Sequence, residues 1–164
     1  MKPYQPPGIW EAKVGGVRVT YETSEGEDQY RRGIYTVWKR TSPYPSFITF
    51  DAPTRNACTI KRTRSNTPLQ SLTLLNDPVY VEAAQSLAKR VLKEKSTASV
   101  EEKLRHAFTL CTSRAPSERE LKILTKLYEE QLRSSKKKGA EAEIDAWNSI
   151  ATALLNLDET ITKG

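Results

Sequence analysis

One histidine, two cysteines and one methionine in 164 residues leave little for metal or redox chemistry. Cys58 and Cys111 make neither a CxxC pair nor the CxxCH of haem attachment, and His106 stands alone among helical residues. A zinc site built on one histidine and two scattered cysteines is not expected. A buried free thiol is the reading for each cysteine, since Cys is among the most buried residue types. The alternative is a mutual disulfide, which would require an oxidising compartment. No apolar run approaches the roughly 18–20 residues that cross a bilayer. Residues 1–7 offer no apolar segment after Lys2, so no secretory leader is read there. There is no P-loop and no dinucleotide glycine pattern. A Ser-His-Asp set could run only through His106. An autonomous enzyme is therefore not expected.

Acidic residues are scarce in one place. Between Gln29 and Asn76, Asp51 is the only acid against Arg31, Arg32, Lys39, Arg40, Arg55, Lys61, Arg62 and Arg64. That span carries +7, and the rest of the chain −1. Such asymmetry suits an anionic partner, whether nucleic acid, acidic glycan or acidic protein surface. The plainer reading, a solvated face with local ion pairs, comes first.

Hydrophobic content of 37% and a mean hydropathy of −0.62 suit one modest core, hence a single domain over 1–164. Residues 1–28 are punctuated by Pro3, Pro6, Pro7, Gly8, Gly15, Gly16 and Gly26. Val14–Tyr21 alternates enough for a short strand, and Ile9 with Trp10 reads as an anchor to the core. Tyr30, Ile34, Val37 and Trp38 are spaced as one helical face, which predicts a helix over Gln29–Thr41 ending at Pro43 and Pro45.

From Thr67 onward the helix signals are explicit. Thr67, Pro68 and Gln70 form a capping-box start, and Asn76-Asp77-Pro78 makes a corner with Asp77 as cap. Tyr80, Ala83, Ala84, Leu87, Ala88, Val91 and Leu92 then trace a stripe. Ser99 with Glu102, and Ser117 with Glu120, open two more helices. Glu101, Glu102, Glu118 and Glu120 read as first-turn acids rather than acid–base pairs. A last helix is predicted over about 140–161, with Ile144, Trp147, Ile150, Ala151, Leu154, Leu155 and Asp158 on one face. The fold class is thus mainly α. A bundle of four to five helices follows an irregular, aromatic- and Pro-rich N-terminal third (1–66, then 67–164).

The stretches GEDQYRRGIYTVWKR (26–40) and FDAPTRNACTIKRTRSNTPLQSLTLLNDPVYVEAA (50–84), then SRAPSERELKIL and NSIATALLNLDETIT, resemble one family. It is the C-terminal planctomycete-type domain of unknown function that accompanies a planctomycete cytochrome c domain in large exported proteins. Ser65 and Ser71 stand where that pattern has Thr and Ala. The resemblance implies that this chain is the C-terminal part of a larger protein whose upstream domains are its partners. It also implies an exported, periplasmic or cell-surface location, with haem confined to a separate domain. It brings no established activity.

The candidate site is the loop holding Asp51, Arg55, Arg62, Arg64 and Asn66. Arginine forks bind carboxylate, phosphate or sulfate in pairs of hydrogen bonds, and a cysteine among cations is a candidate reactive thiol. Against both stands a structural reading, in which Asp51, Arg55 and Asn66 satisfy the loop's own backbone. Tyr30, Tyr35, Trp38, Tyr44, Phe47 and Phe50 interleave with the cations, as in nucleic-acid and glycan platforms. Core packing is the expected use for most of them. Acidic or sulfated polysaccharide remains the alternative ligand, and nucleic acid is not expected. The other alternative is that the chain is part of an enzyme completed by a missing upstream domain.

Overall fold

The computed structural model describes residues 1–9, 21–39, 42–55 and 57–162. They form seven α-helices, two short 3₁₀ turns and no strand, a mainly α fold as the sequence predicts. The strand expected near 14–21 and the Trp10 anchor lie outside the described residues, Tyr21 excepted. Ile9 itself is exposed rather than pinned in a core. The chain divides into two compact units, Met1–Gln70 and Ser71–Gly164.

The second unit is a helical assembly whose starts are fixed by short polar side chains. Helix α2 (Pro68–Asn76) enters it from the first unit. Asp77 then accepts from the Val79 amide at 2.9 Å and opens α3 (Pro78–Glu94). Ser99 and Glu102 bond each other's backbone amides at the head of α4 (Val100–Thr112). Ser117 and Glu120 do the same at the head of α5 (Glu118–Ser134). Each reciprocal pair satisfies amides that a helix start leaves without partners. Helix α6 (Ala140–Leu155) packs against α3, α4 and α5, burying Ala146, Trp147, Ile150, Ala151 and Leu154. They meet Ala84, Ala88 and Val91 of α3, Leu104, Ala107 and Phe108 of α4, and Leu121, Leu124 and Tyr128 of α5 in one core.

Two details of this unit depart from the sequence reading. Ile144, assigned to the buried face of the last helix, is exposed, and Ala142 and Ala146 are buried instead. Small side chains let neighbouring helices approach, and a pattern of large apolar residues does not register them. The last helix also stops at Leu155: Leu157 turns extended, and a separate one-turn helix, α7, covers Asp158–Ile161. The Thr160 hydroxyl donates to the Leu154 carbonyl at 2.9 Å, satisfying a group that the break sets free. A further residue that the sequence did not flag is Lys103, buried on α4 with Glu143 3.9 Å from its ammonium.

Arg114 fastens α7 from the α4–α5 connection. Its guanidinium lies 4.8 Å above the Phe108 ring, donates to both Glu120 oxygens at 3.0 and 2.6 Å, and reaches Glu159 at 2.7 and 2.9 Å. Arg114, together with the Ser117 amide and hydroxyl, holds the Glu120 carboxyl down at about 2, and Arg114 also lowers Glu159. Both groups are ionised more readily folded than unfolded. Their contribution is therefore complete above the ordinary glutamate value of 4.5 and fades as pH falls toward 2. Thermal midpoints followed by circular dichroism should hold steady down to that upper value and drop below it. Arg114→Met should lower the midpoint at neutral pH and flatten the acid limb. An unchanged limb in Arg114→Met would assign the acid response to other carboxylates.

In the first unit the helix predicted over Gln29–Thr41 is not formed. Its described residues carry 3₁₀ turns at Gly26–Tyr30 and Gly33–Tyr35, with Arg31 and Arg32 extended between them. Tyr30 and Ile34, two members of the proposed face, are 64% and 76% exposed. An isolated helix this short gains too little without a buried face, and Gly33 weakens it further. Gly33 is needed for another reason: a Cβ there would sit 3.1 Å from the Phe47 ring. The chain then enters a one-turn helix, α1 (Pro45–Thr49), with Pro45 at its first position. Trp38 stacks on Phe47 at 5.8 Å, and Tyr44 meets Phe47 edge-on at 5.4 Å. Tyr44, Thr36, Ser46, Gln5 and Gln70 are this unit's buried anchors. Burial, with Tyr44 beside it, pushes the Tyr21 phenol up to about 12.

Candidate functional site

The basic loop between Ala52 and Arg64 is held at its base by three side chains. Asp51, in the left-handed region at φ 57°, presents Oδ2 to the Ser65 amide and hydroxyl, both at 2.7 Å. Gln70 is 1% exposed and completes the clamp. Its Nε2 donates to the Thr49 carbonyl at 2.8 Å and to the Ser65 hydroxyl at 3.1 Å, with Asp51 Oδ2 at 3.5 Å. Its Oε1 meanwhile accepts from the Thr67 amide at 3.1 Å, while its own amide donates to the Thr67 hydroxyl at 3.3 Å. One glutamine thus closes a capping box and ties the two ends of the loop together. The bonds from Ser65, then the nearby Arg62 charge and Gln70, hold the Asp51 carboxyl below the usual aspartate range.

Above this clamp the described loop residues from Pro53 to Arg64 are all exposed, and Ile60 is fully so. Arg55 also has a left-handed backbone, at φ 61°, and its guanidinium lies 4.6 Å over the Trp38 ring. The loop and α1 enclose an open groove of about 490 Å³, lined by Trp38, Ile48, Asp51, Thr59, Arg62 and Thr63 among others. A second depression of about 480 Å³ adjoins it, sharing Arg62 and Thr63 and adding Lys61 and Arg64.

The structure therefore brings together Asp51 and Arg62 in one groove, Arg55 on that groove's tryptophan, and Arg64 in the adjoining depression. Asn66 is exposed and lines neither hollow. Thr67 and Gln70 cap α2, Asp77 caps α3, and Asn76 Nδ2 donates to the Leu72 carbonyl at 2.8 Å. Ser65, Thr59, Thr63 and the pairing of Trp38 with Arg55 were not anticipated. They come from loop positions and non-local pairings that no periodicity announces.

Cys58 is exposed, contrary to the buried thiol expected. It sits on the outward loop and packs in no core, whereas Cys111 is buried in α4, where burial raises its pKa. Both cysteines are free. His106 Nε2 lies 2.7 Å from Glu94 Oε2. Among the described residues no group of three or more His, Cys, Asp or Glu side chains is placed to hold a metal ion, and no helix is long and apolar enough to cross a membrane. Tyr30 and Tyr35 are exposed, while Tyr44 is buried.

One family model matches residues 1–128; its description reads PSD1, protein of unknown function (DUF1553). No curated protein and no solved structure matches the chain.

Proposed function

Because the chain belongs to the PSD1 family (DUF1553), whose description names no activity, we propose from the geometry that it is a non-catalytic interaction module of an exported multidomain protein. It docks onto neighbouring domains of the same polypeptide through the segment from 29 to 76. Haem chemistry, in this reading, belongs to a companion domain, since this sequence carries no CxxCH.

The observation that carries the proposal is the solvent exposure of apolar side chains among cations in the first unit. Ile34 is 76% exposed and Ile60 fully so. They stand on a segment with Arg32, Lys61, Arg62 and Arg64, while Arg31 is paired with Asp28 at 2.7 Å. Exposed apolar groups set among one sign of charge fit a complementary acidic protein surface. Asp51, Ser65 and Gln70 keep the loop's base ordered, which lowers the entropy lost on docking.

The test is co-purification with the polypeptide encoded immediately upstream in the same reading frame. Retention is expected, weakened at least about tenfold by Ile34→Asp with Ile60→Asp, since docking loses about 1.4 kcal/mol or more. Retention that ignores this double change, or no retention at all, would remove the proposal.

A further inference from the structure

Two adjoining hollows share Arg62 and Thr63. The first has the size range of ordinary ligand sites. Its lining alternates in character: Trp38, Ile48 and Pro53 are apolar, Thr59 and Thr63 offer hydroxyls, Asp51 accepts and Arg62 donates. The second is nearly all cationic, with Lys61, Arg62 and Arg64 around Thr63.

From this we infer that the groove binds an acidic polysaccharide, one sugar ring against the apolar lining of Ile48 and Pro53 and a sulfate or carboxylate on Arg62. The inference rests on reading the same segment as a binding surface, and it names the ligand class for one part of it. A pyranose ring has apolar C–H faces and a rim of hydroxyls, matching a wall of mixed apolar and hydroxyl groups. Its anionic substituent matches an arginine fork better than an ammonium. The polymer's next charged group falls to Lys61 and Arg64. Trp38 is already engaged by Phe47 and by the Arg55 guanidinium. That removes a bare aromatic face for a base and for a sugar alike, so the anionic contacts carry the recognition.

Calorimetric titration of the full chain with a sulfated dextran oligosaccharide, an oligogalacturonate, neutral dextran and a single-stranded oligonucleotide tests this. Binding of one or both acidic saccharides is expected, weakening with added salt. Arg62→Ala should cost about tenfold in affinity, as loss of a charge-assisted bond implies, and Arg62→Lys should recover only part of it. Thr63→Val should weaken binding without changing its salt dependence. Lys136→Ala with Lys138→Ala, which removes two cations from the second unit, should leave affinity within about twofold. The inference is overturned if that control weakens binding as much as Arg62→Ala does, if the oligonucleotide binds more tightly than the saccharides, or if no acidic saccharide binds. Docking of the upstream polypeptide by the Arg62→Ala chain reports separately on the interaction-module reading. Intact docking with no saccharide binding removes only the saccharide, and saccharide binding with no docking removes only the domain partner.

Discussion

Trp147→Ala is expected to destabilise the second unit by about 3–5 kcal/mol, the usual range for emptying a large aromatic site in a core. Trp147 is 1% exposed and packs with Tyr128 at a centroid separation of 5.3 Å. It sits among Leu104, Phe108, Ile150 and Leu154, each fully or almost fully buried. The cavity would be bounded by several helices at once, so no single side chain can swing in to fill it. A loss of that size is a large share of the roughly 5–15 kcal/mol that holds an ordinary domain together. Urea unfolding followed by far-ultraviolet circular dichroism reads it directly, because the signal comes mainly from these helices. A change under about 1 kcal/mol would mean that α6 does not sit at the centre of the core. Trp147→Phe keeps an aromatic ring in place and should cost visibly less.

The second large effect is expected at Gln70, and it should appear in the other unit. Gln70→Leu preserves bulk but removes the donor to the Thr49 carbonyl and to Ser65, and the acceptor for the Thr67 amide. Leaving part-buried polar groups without partners costs about 1–3 kcal/mol for each one stranded, so a loss of about 2 kcal/mol or more is expected. Gln70→Glu keeps the acceptor but loses the amide donor and sets a second carboxylate beside Asp51. Its defect should grow as pH rises and both acids ionise. Because the first unit holds little helix, the readout is tryptic cleavage in the loop at Arg55, Lys61, Arg62 and Arg64. Both variants should be cut faster than the parent. Equal cleavage rates would show that the loop's order does not depend on this glutamine.

How far the sequence foretold these features depends on how local each one is. The starts of α2 to α5 were legible because a cap is a matter of three or four consecutive residues, as with Ser99 and Glu102. The stripe on α3 was legible because burial repeats with the helical period. The 29–41 segment misled for the same reason. Tyr30, Ile34, Val37 and Trp38 have helical spacing, but periodicity cannot say whether any surface exists for that face to cover. Gly33 is governed by Phe47, fourteen residues away, and nothing local reveals such a contact. At the candidate site, the charge run announced the arginines. The pairing of Asp51 with Ser65, and of Trp38 with Arg55, joins residues whose separation carries no rhythm. Gln70 shows the limit most clearly. Its role as a cap was readable from Thr67, and its second role, bridging to Thr49, was not.

Glu120 has a consequence that concerns order rather than magnitude. The same carboxylate receives the Ser117 amide at 2.7 Å and two bonds from Arg114, which in turn grips Glu159. A single proton arriving there would unseat a helix beginning and slacken the tether on the chain's last turn in one event. Acid should therefore loosen this molecule tail first, with residues 158–162 peeling away while the interior around Ile150 is still closed.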